Sequence, residues 1–354
     1  METLFPIRQI LNGSGVILDS SFHKAYDKKW VQDVYKKMLV ARLFDRKCVN
    51  LQRQARIGTY APFEGQEAAQ IGSALALEDG DWLFPTYRDH GASLTFGQSM
   101  LNILLFWNGR YEGCLPPEGK HIFPPAVPIA SQLLHATGAA WAEKKKGRDR
   151  VAMVYFGDGA SSEGDFHEAL NFSSVYQAPV IFFNQNNGYA ISVPFERQTH
   201  AKTIAQKGLA YDIEGIRVDG NDVFAVYEVT RYAIEKARKG GGPTLIEALT
   251  WRYGAHTTSD DPSKYRNQAE NEWRKLEEDP LKRLELFMEA NDLWEDDVIK
   301  LEESLSNEID LSVKQLERLP KASIDHMYDF VYHTPPWPLT EQKSRQLIRE
   351  GDVE

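Results

Sequence analysis

The stretch Val151-Ala152-Met153-Val154-Tyr155-Phe156-Gly157-Asp158-Gly159-Ala160-Ser161-Ser162-Glu163-Gly164 decides how this chain is read. Six apolar residues in a row, closed by a glycine turn, mark a strand buried on both faces, as in a parallel sheet. A helix is expected at Phe166–Tyr176, so the turn lies between the carboxyl end of a strand and the start of a helix. Glycine lets a backbone approach a ligand closely, and a helix N-terminus favours negative charge. Asp158 does not itself attract a phosphate. It fits if a hard cation such as Mg or Ca lies between carboxylate and phosphate. Alone, Gly-Asp-Gly also makes an ordinary turn.

The next strand removes most of that ambiguity. Val180–Phe183 runs into Asn184-Gln185-Asn186-Asn187-Gly188-Tyr189, and the 29 residues from Asp158 to Asn187 leave room for one helix and one strand. Two successive strands thus carry oxygen ligands at their carboxyl ends, where open α/β sheets bind ligands. Two further segments leave expected strands in the same way. Trp82–Phe84 leads to Pro85-Thr86-Tyr87-Arg88-Asp89-His90, and Thr244–Thr250 leads to the loop Trp251 to Arg266, with His256, Arg252, Tyr265 and Arg266. Planar guanidinium donors suit phosphate oxygens, and a mobile loop of this kind can order itself over a ligand. The plainer readings are a surface loop and an exposed Arg88–Asp89 salt bridge.

Working outward, helices are expected from Lys29, over Gly65–Leu77 and over Leu133–Lys146, with a strand at Ile216–Val218 and a helix capped by Asn221 or Asp222. The alternation predicts an α/β fold with a doubly wound, mostly parallel sheet and extra N- and C-terminal helices. Residues 1–25 read as an N-terminal arm, residues 26–320 as the main domain with charged helices from about 267, and residues 321–354 as a C-terminal arm. The stripe Val298, Leu301, Leu305, Ile309, Val313, Leu316 reads as a packing face. His333-Thr334-Pro335-Pro336-Trp337-Pro338 is expected to exclude regular helix.

Composition narrows the function. Acidic residues number 51 against 41 basic ones, which argues against nucleic acid as a partner. The one lysine run, Lys144 to Lys146, reads as a solvated helix end. No apolar run approaches the roughly 20 residues needed to span a membrane, so no membrane association is expected. Cys48 and Cys114 are too few and too far apart for a disulfide framework or a metal knuckle, and read as reduced thiols. Met1 to Ser14 has no signal or transit pattern. A cytoplasmic chain is expected, or a mature mitochondrial matrix chain if the source is eukaryotic. Competing phosphate motifs fail: His121 follows Lys120 where a P-loop needs Ser or Thr, and Ser162 stands at the third glycine position of a dinucleotide fingerprint.

Gly157-Asp158-Gly159 with Asn186-Asn187 resembles the thiamine diphosphate motif. The longer set Gly157–Asn171, Gln185–Ser192, Arg217-Val218-Asp219-Gly220 and Tyr253–Arg266 resembles the alpha subunit of the two-chain 2-oxo acid dehydrogenases, over nearly the whole chain. The resemblance implies Mg on Asp158, Asn187 and the main-chain oxygen of Tyr189. It implies thiamine diphosphate contacts from Tyr87, Arg88, His256, Gly159, Ala160, Gln185 and Arg266, and from Val127 and Ile129 near the pyrimidine. Arg252, Tyr265 and Arg266 would belong to the loop over the site, and His256 would transfer a proton or steady charge near the reacting carbon.

The activity implied is decarboxylation of a small 2-oxo acid with acyl transfer to the lipoyl arm of an acyltransferase second component. The glutamate that activates the cofactor comes from a beta subunit in this family, so an alpha2beta2 heterotetramer is implied. Pyruvate is the favoured substrate, with branched-chain 2-oxo acids and acetoin as alternatives. A one-chain thiamine enzyme and a non-catalytic scaffold are the remaining classes. Branched-chain relatives hold a potassium ion near the positions of Ser131 and Gln132, but Val127 here stands where they have serine. Thr257 lies in the loop phosphorylated in animal relatives.

Overall fold

The computed structural model describes residues 5–18, 27–294 and 297–350. Nine strands are numbered in chain order: β1 Ile7–Arg8, β2 Trp82–Phe84, β3 His121–Ile122, β4 Ala152–Gly157, β5 Val180–Asn186, β6 Tyr189–Ala190, β7 Val193–Pro194, β8 Glu214–Asp219 and β9 Thr244–Leu249. Seven form one sheet in the order β1-β8-β9-β5-β4-β2-β3, and β6 with β7 makes a separate antiparallel ribbon. Every pairing in the large sheet is parallel. Strand directions therefore agree, and the carboxyl ends of the central strands β9, β5, β4 and β2 lie side by side.

Alternation along β4 shows why both faces are covered. Met153 and Tyr155 pack with the helices Glu67–Ala74 and Val223–Arg238, while Ala152, Val154 and Phe156 pack with Ser131–Lys145 and Gly164–Tyr176. Asp222 caps Val223–Arg238 by accepting from the N–H of Phe224 and Ala225, both at 3.1 Å. Its second oxygen accepts from the N–H of Ile10 and Leu11, both at 2.6 Å, which ties the N-terminal segment to the sheet edge. Within the arm expected over residues 1–25, residues 5–18 include the edge strand β1, and residues 1–4 and 19–25 lie outside the described residues.

The stripe on the helix Val298–Arg318 is used inside the chain. Leu305 packs with Val34, Met38 and Leu284, and Ile309, Val313 and Leu316 with Phe44, Leu51 and Leu104. The C-terminal expectation holds for residues 333–336 and is corrected at Trp337 and Pro338: a helix spans Trp337–Glu350, with Pro338 in its first turn. Proline lacks only an N–H that the first turn leaves unused, so it starts this helix rather than preventing it. No helix among the described residues is long and apolar enough to cross a membrane.

Candidate functional site

A cleft of about 880 Å³, counting its open mouth, lies over the carboxyl ends of β2, β4 and β5. Thr86, Tyr87 and Arg88 follow β2; Asp158, Gly159 and Ala160 follow β4; Gln185 is the last residue but one of β5 and Asn187 follows the strand. His256 arrives from the loop after β9. Ala126, Pro128, Ile129 and Ile191 supply an apolar wall.

Asp158 opens a short 3-10 turn and is 1% exposed. Burial raises its carboxyl above the usual range, against the opposing effect of the Gln198 amide, which donates to it at 2.5 Å. Among the described residues no lysine or arginine forms an ion pair with it. A buried carboxylate without a cation is unfavourable unless a ligand supplies the charge. Asn187 presents its side-chain oxygen next to the N–H of Tyr189 at 3.3 Å and donates its amide N–H to Gln66 at 3.2 Å. Gly159 is required by space: a Cβ there would lie 2.7 Å from Ala190 Cβ, so only glycine lets the turn sit against β6. One carboxylate with neutral oxygens suits a divalent ion whose other ligands come from phosphate and water.

Across the cleft Arg88 is held in place. Its guanidinium donates to the Pro62 carbonyl at 2.5 Å, to the His256 carbonyl at 2.8 Å and to His256 Nδ1 at 3.1 Å. The imidazole is held down near a pKa of about 3 by burial first, then by the charges of Arg88 and Arg252. Tyr87 stands edge-on to it, ring centres 6.0 Å apart. A chain of amides fixes the floor: Gln66 and Gln70 donate to the Gln185 oxygen, and Gln185 donates to Asp89. Asp89 also accepts from the Thr86 N–H and hydroxyl, both at 2.6 Å. The expected alternative of an exposed Arg88–Asp89 salt bridge is therefore corrected. Asp89 is fully buried and used to shape the turn that aims Arg88.

The cleft brings together Tyr87, Arg88, Ile129, Asp158, Gly159, Ala160, Gln185, Asn187, Tyr189 and His256. Four other expected site residues do not line the cleft. Val127 is 59% exposed, with its neighbours forming the wall. Arg252 is buried at 2% and donates to the Gly254 carbonyl. Tyr265 donates to Asp260 at 2.5 Å, and Asp260 in turn accepts from the His256 N–H. Arg266 is occupied by the carbonyls of Arg252, Tyr253 and Gly254, so it shapes the loop from beneath and does not reach the cleft. Gln66, Asp89 and Gln198 were not singled out as ligand-contacting residues in the sequence. Gln66 and Gln70 had a signal, as amides on a helix start otherwise rich in Ala, Ile and Gly; Gln198 had none.

Comparison with known proteins fits this geometry. A family model described as "Dehydrogenase E1 component" matches residues 35–325. The pyruvate dehydrogenase E1 component subunit alpha of Staphylococcus epidermidis strain RP62A is 40% identical over 344 residues, covering 96% of this chain and 92% of that protein. The same-named proteins of Staphylococcus aureus strains Mu50 and COL match at the same identity and coverage. The parallel sheet is that of the thiamine diphosphate-binding fold. A match over most of its length, with long relatives at this identity, places the chain in a family: it belongs to the dehydrogenase E1 components.

Proposed function

We propose that this chain is the alpha-type subunit of a pyruvate dehydrogenase first component. With a beta subunit it binds thiamine diphosphate through Mg, decarboxylates a 2-oxo acid and passes the acyl group to a lipoyl arm. The observation that carries the reading is the pairing across one cleft of Asp158, buried without a cation, with the Arg88–His256 couple. Asp158, Asn187 and the Tyr189 main chain would hold the metal. Arg88 and Tyr87 would bind the diphosphate, and the apolar wall at Ile129 and Pro128 would support the heterocycles.

When bound, the cofactor supplies the electron sink for decarboxylation. The chain's own residues bind and orient. A guanidinium has only donors, so His256 Nδ1 is the acceptor and the proton rests on Nε2. His256 is thus a neutral hydrogen-bond donor, suited to steadying negative charge more than to taking up a proton. This chain would hold the diphosphate half of the cofactor, and the beta subunit would hold the other half. Val127, Ile129, Ile191 and Val193 are exposed around the cleft and would be covered by it.

The test is reconstitution with the partner beta subunit. Expected are Mg-dependent binding of thiamine diphosphate and turnover of pyruvate in preference to branched 2-oxo acids, with a lipoyl domain as acceptor. The chain alone is expected to be inactive. Robust decarboxylation by the isolated polypeptide, or no cofactor binding by the pair, would overturn the reading; preference for a branched substrate would overturn its pyruvate assignment.

A further inference from the structure

Asp45 lies on the inner face of the helix Lys28–Arg53, 1% exposed. It receives three hydrogen bonds, all from one short segment. Oδ1 accepts from the Tyr60 hydroxyl at 2.8 Å and the Phe63 N–H at 3.0 Å, and Oδ2 from the Glu64 N–H at 3.0 Å. Among the described residues no ammonium or guanidinium pairs with it. Burial lifts its pKa to about 7, and the nearby Glu67 adds to the rise. An ionisable group kept there carries a penalty that a neutral acceptor would avoid.

The other side of the same segment faces the cleft residues. The Pro62 carbonyl accepts from Arg88. The Tyr60 N–H donates to Thr258 Oγ1 at 3.0 Å, and the Tyr60 carbonyl accepts from the Thr258 N–H at 2.8 Å. The Glu64 carbonyl accepts from the Tyr253 N–H at 2.9 Å. Residues 60–64 are therefore a strap with Asp45 behind it and, in front, Arg88 and the loop that carries His256. Its exit has no slack, since a Cβ on Gly65 (φ +100) would lie 2.3 Å from the Trp251 carbonyl oxygen.

We propose that Asp45 is a positioning residue for cofactor binding: by clamping the strap 60–64 it sets the Pro62 carbonyl that aims Arg88 and the Tyr60 backbone that holds Thr258 beside His256. The inference rests on the functional reading above. It gives a carboxylate outside the cleft an effect on ligand affinity, transmitted through main chain.

The experiment uses the assembled complex with the beta subunit, carrying Asp45→Asn, Tyr60→Phe or, as a control, Leu51→Ala. Leu51 is buried on the same helix and touches the strap through no hydrogen bond in the structure. Asn keeps one oxygen but turns an N–H₂ toward a donor. It is expected to weaken thiamine diphosphate binding roughly tenfold, while kcat at saturating cofactor stays within about twofold. Trypsin should cut faster after Lys264, at the end of the loop. Tyr60→Phe should move affinity the same way by about threefold, as one lost hydrogen bond implies. Leu51→Ala should lower the melting temperature and leave affinity unchanged.

Wild-type affinity in Asp45→Asn overturns the proposal. So does an equal loss of affinity in Leu51→Ala, which would reduce Asp45 to general stability. If Asp45→Asn does not fold, an unchanged affinity in Tyr60→Phe overturns it. A wild-type complex that binds no thiamine diphosphate sinks the functional reading and this inference with it, whereas intact wild-type binding with unmoved variants sinks the inference alone.

Discussion

Arg88 grips His256 at two points, donating to ring Nδ1 at 3.1 Å and to the carbonyl oxygen at 2.8 Å. The second bond fixes the main chain and the first fixes the tautomer, so the ring cannot turn without breaking the pair. With its pKa held to about 3 by burial and by the charges of Arg88 and Arg252, the imidazole of the cofactor-free chain is neutral near pH 7.

The same shift gives a stability prediction with a definite sign. Unfolded, His256 takes up a proton below about pH 6.5, while the folded chain resists it down to about 3. The unfolded state binds more protons across that window, so folding stability falls as pH falls through it. His90, fully buried and also held to about 3 by burial, acts in the same direction. Asp45 opposes them: raised to about 7, it favours the folded state at the acid end of its own window and loses that advantage as pH rises. Replacing His256 with Gln is expected to flatten the pH dependence of urea midpoints between about pH 4.5 and 7 by up to one proton. Parallel curves for the two proteins would refute this, and a ¹⁵N spectrum with the proton on Nδ1 would refute the tautomer set by Arg88.

How much of this was legible follows from where each residue stands relative to its own strand. Asp158 and Asn187 were readable because an apolar run, Val151–Phe156 or Val180–Phe183, points straight at each of them and a glycine follows close by. β5 runs past the expected Phe183 to Asn186, pairing with Leu249 of β9, and the Asn186 amide donates to Glu247, polar residues that no apolar pattern can signal. Arg252 and Arg266 carry the charges that suggest phosphate, yet local sequence does not reveal which way a side chain turns, and both turn inward onto loop carbonyls. Gln198 reaches Asp158 only because the ribbon β6–β7 folds back over the turn, a tertiary event without a local pattern.

Ile191 offers a prediction of a different kind. At the tip of that ribbon it adopts φ +57 and is 55% exposed beside the cleft. A β-branched residue in the left-handed region is strained by about 1–2 kcal/mol. Strain of this kind persists where the side chain serves a ligand or partner. Ile191→Gly should therefore raise the stability of the isolated chain by up to about 1 kcal/mol, the relief being partly offset by glycine's entropy. Binding to the beta subunit or to the cofactor should weaken at the same time. Thermal melting of the chain and a titration of the pair would check it. A lower melting temperature with unchanged binding would show that Ile191 is an ordinary surface residue in an awkward turn.

Arg266 separates two accounts of the loop. As a direct phosphate ligand, its charge would matter only with cofactor present. The structure instead gives it three carbonyls, of Arg252, Tyr253 and Gly254, at 2.5, 2.9 and 3.1 Å, and a position over the Trp251 ring. Removing it leaves the carbonyls of Arg252 and Tyr253 without their donor, while Gly254 keeps Arg252, so Arg266→Ala should destabilise the cofactor-free chain by about 3 kcal/mol. Arg266→Lys should recover little, because an ammonium cannot reproduce the planar fork that spans three acceptors. A direct contact predicts the reverse pattern: unchanged melting of the cofactor-free chain in both variants, partial rescue by Lys, and loss confined to the rise in melting temperature on adding thiamine diphosphate with Mg to the assembled pair. Melting curves of the two variants, with and without cofactor, distinguish these outcomes, and an unaltered cofactor-free midpoint for Arg266→Ala would show that Arg266 does not hold the loop that carries His256.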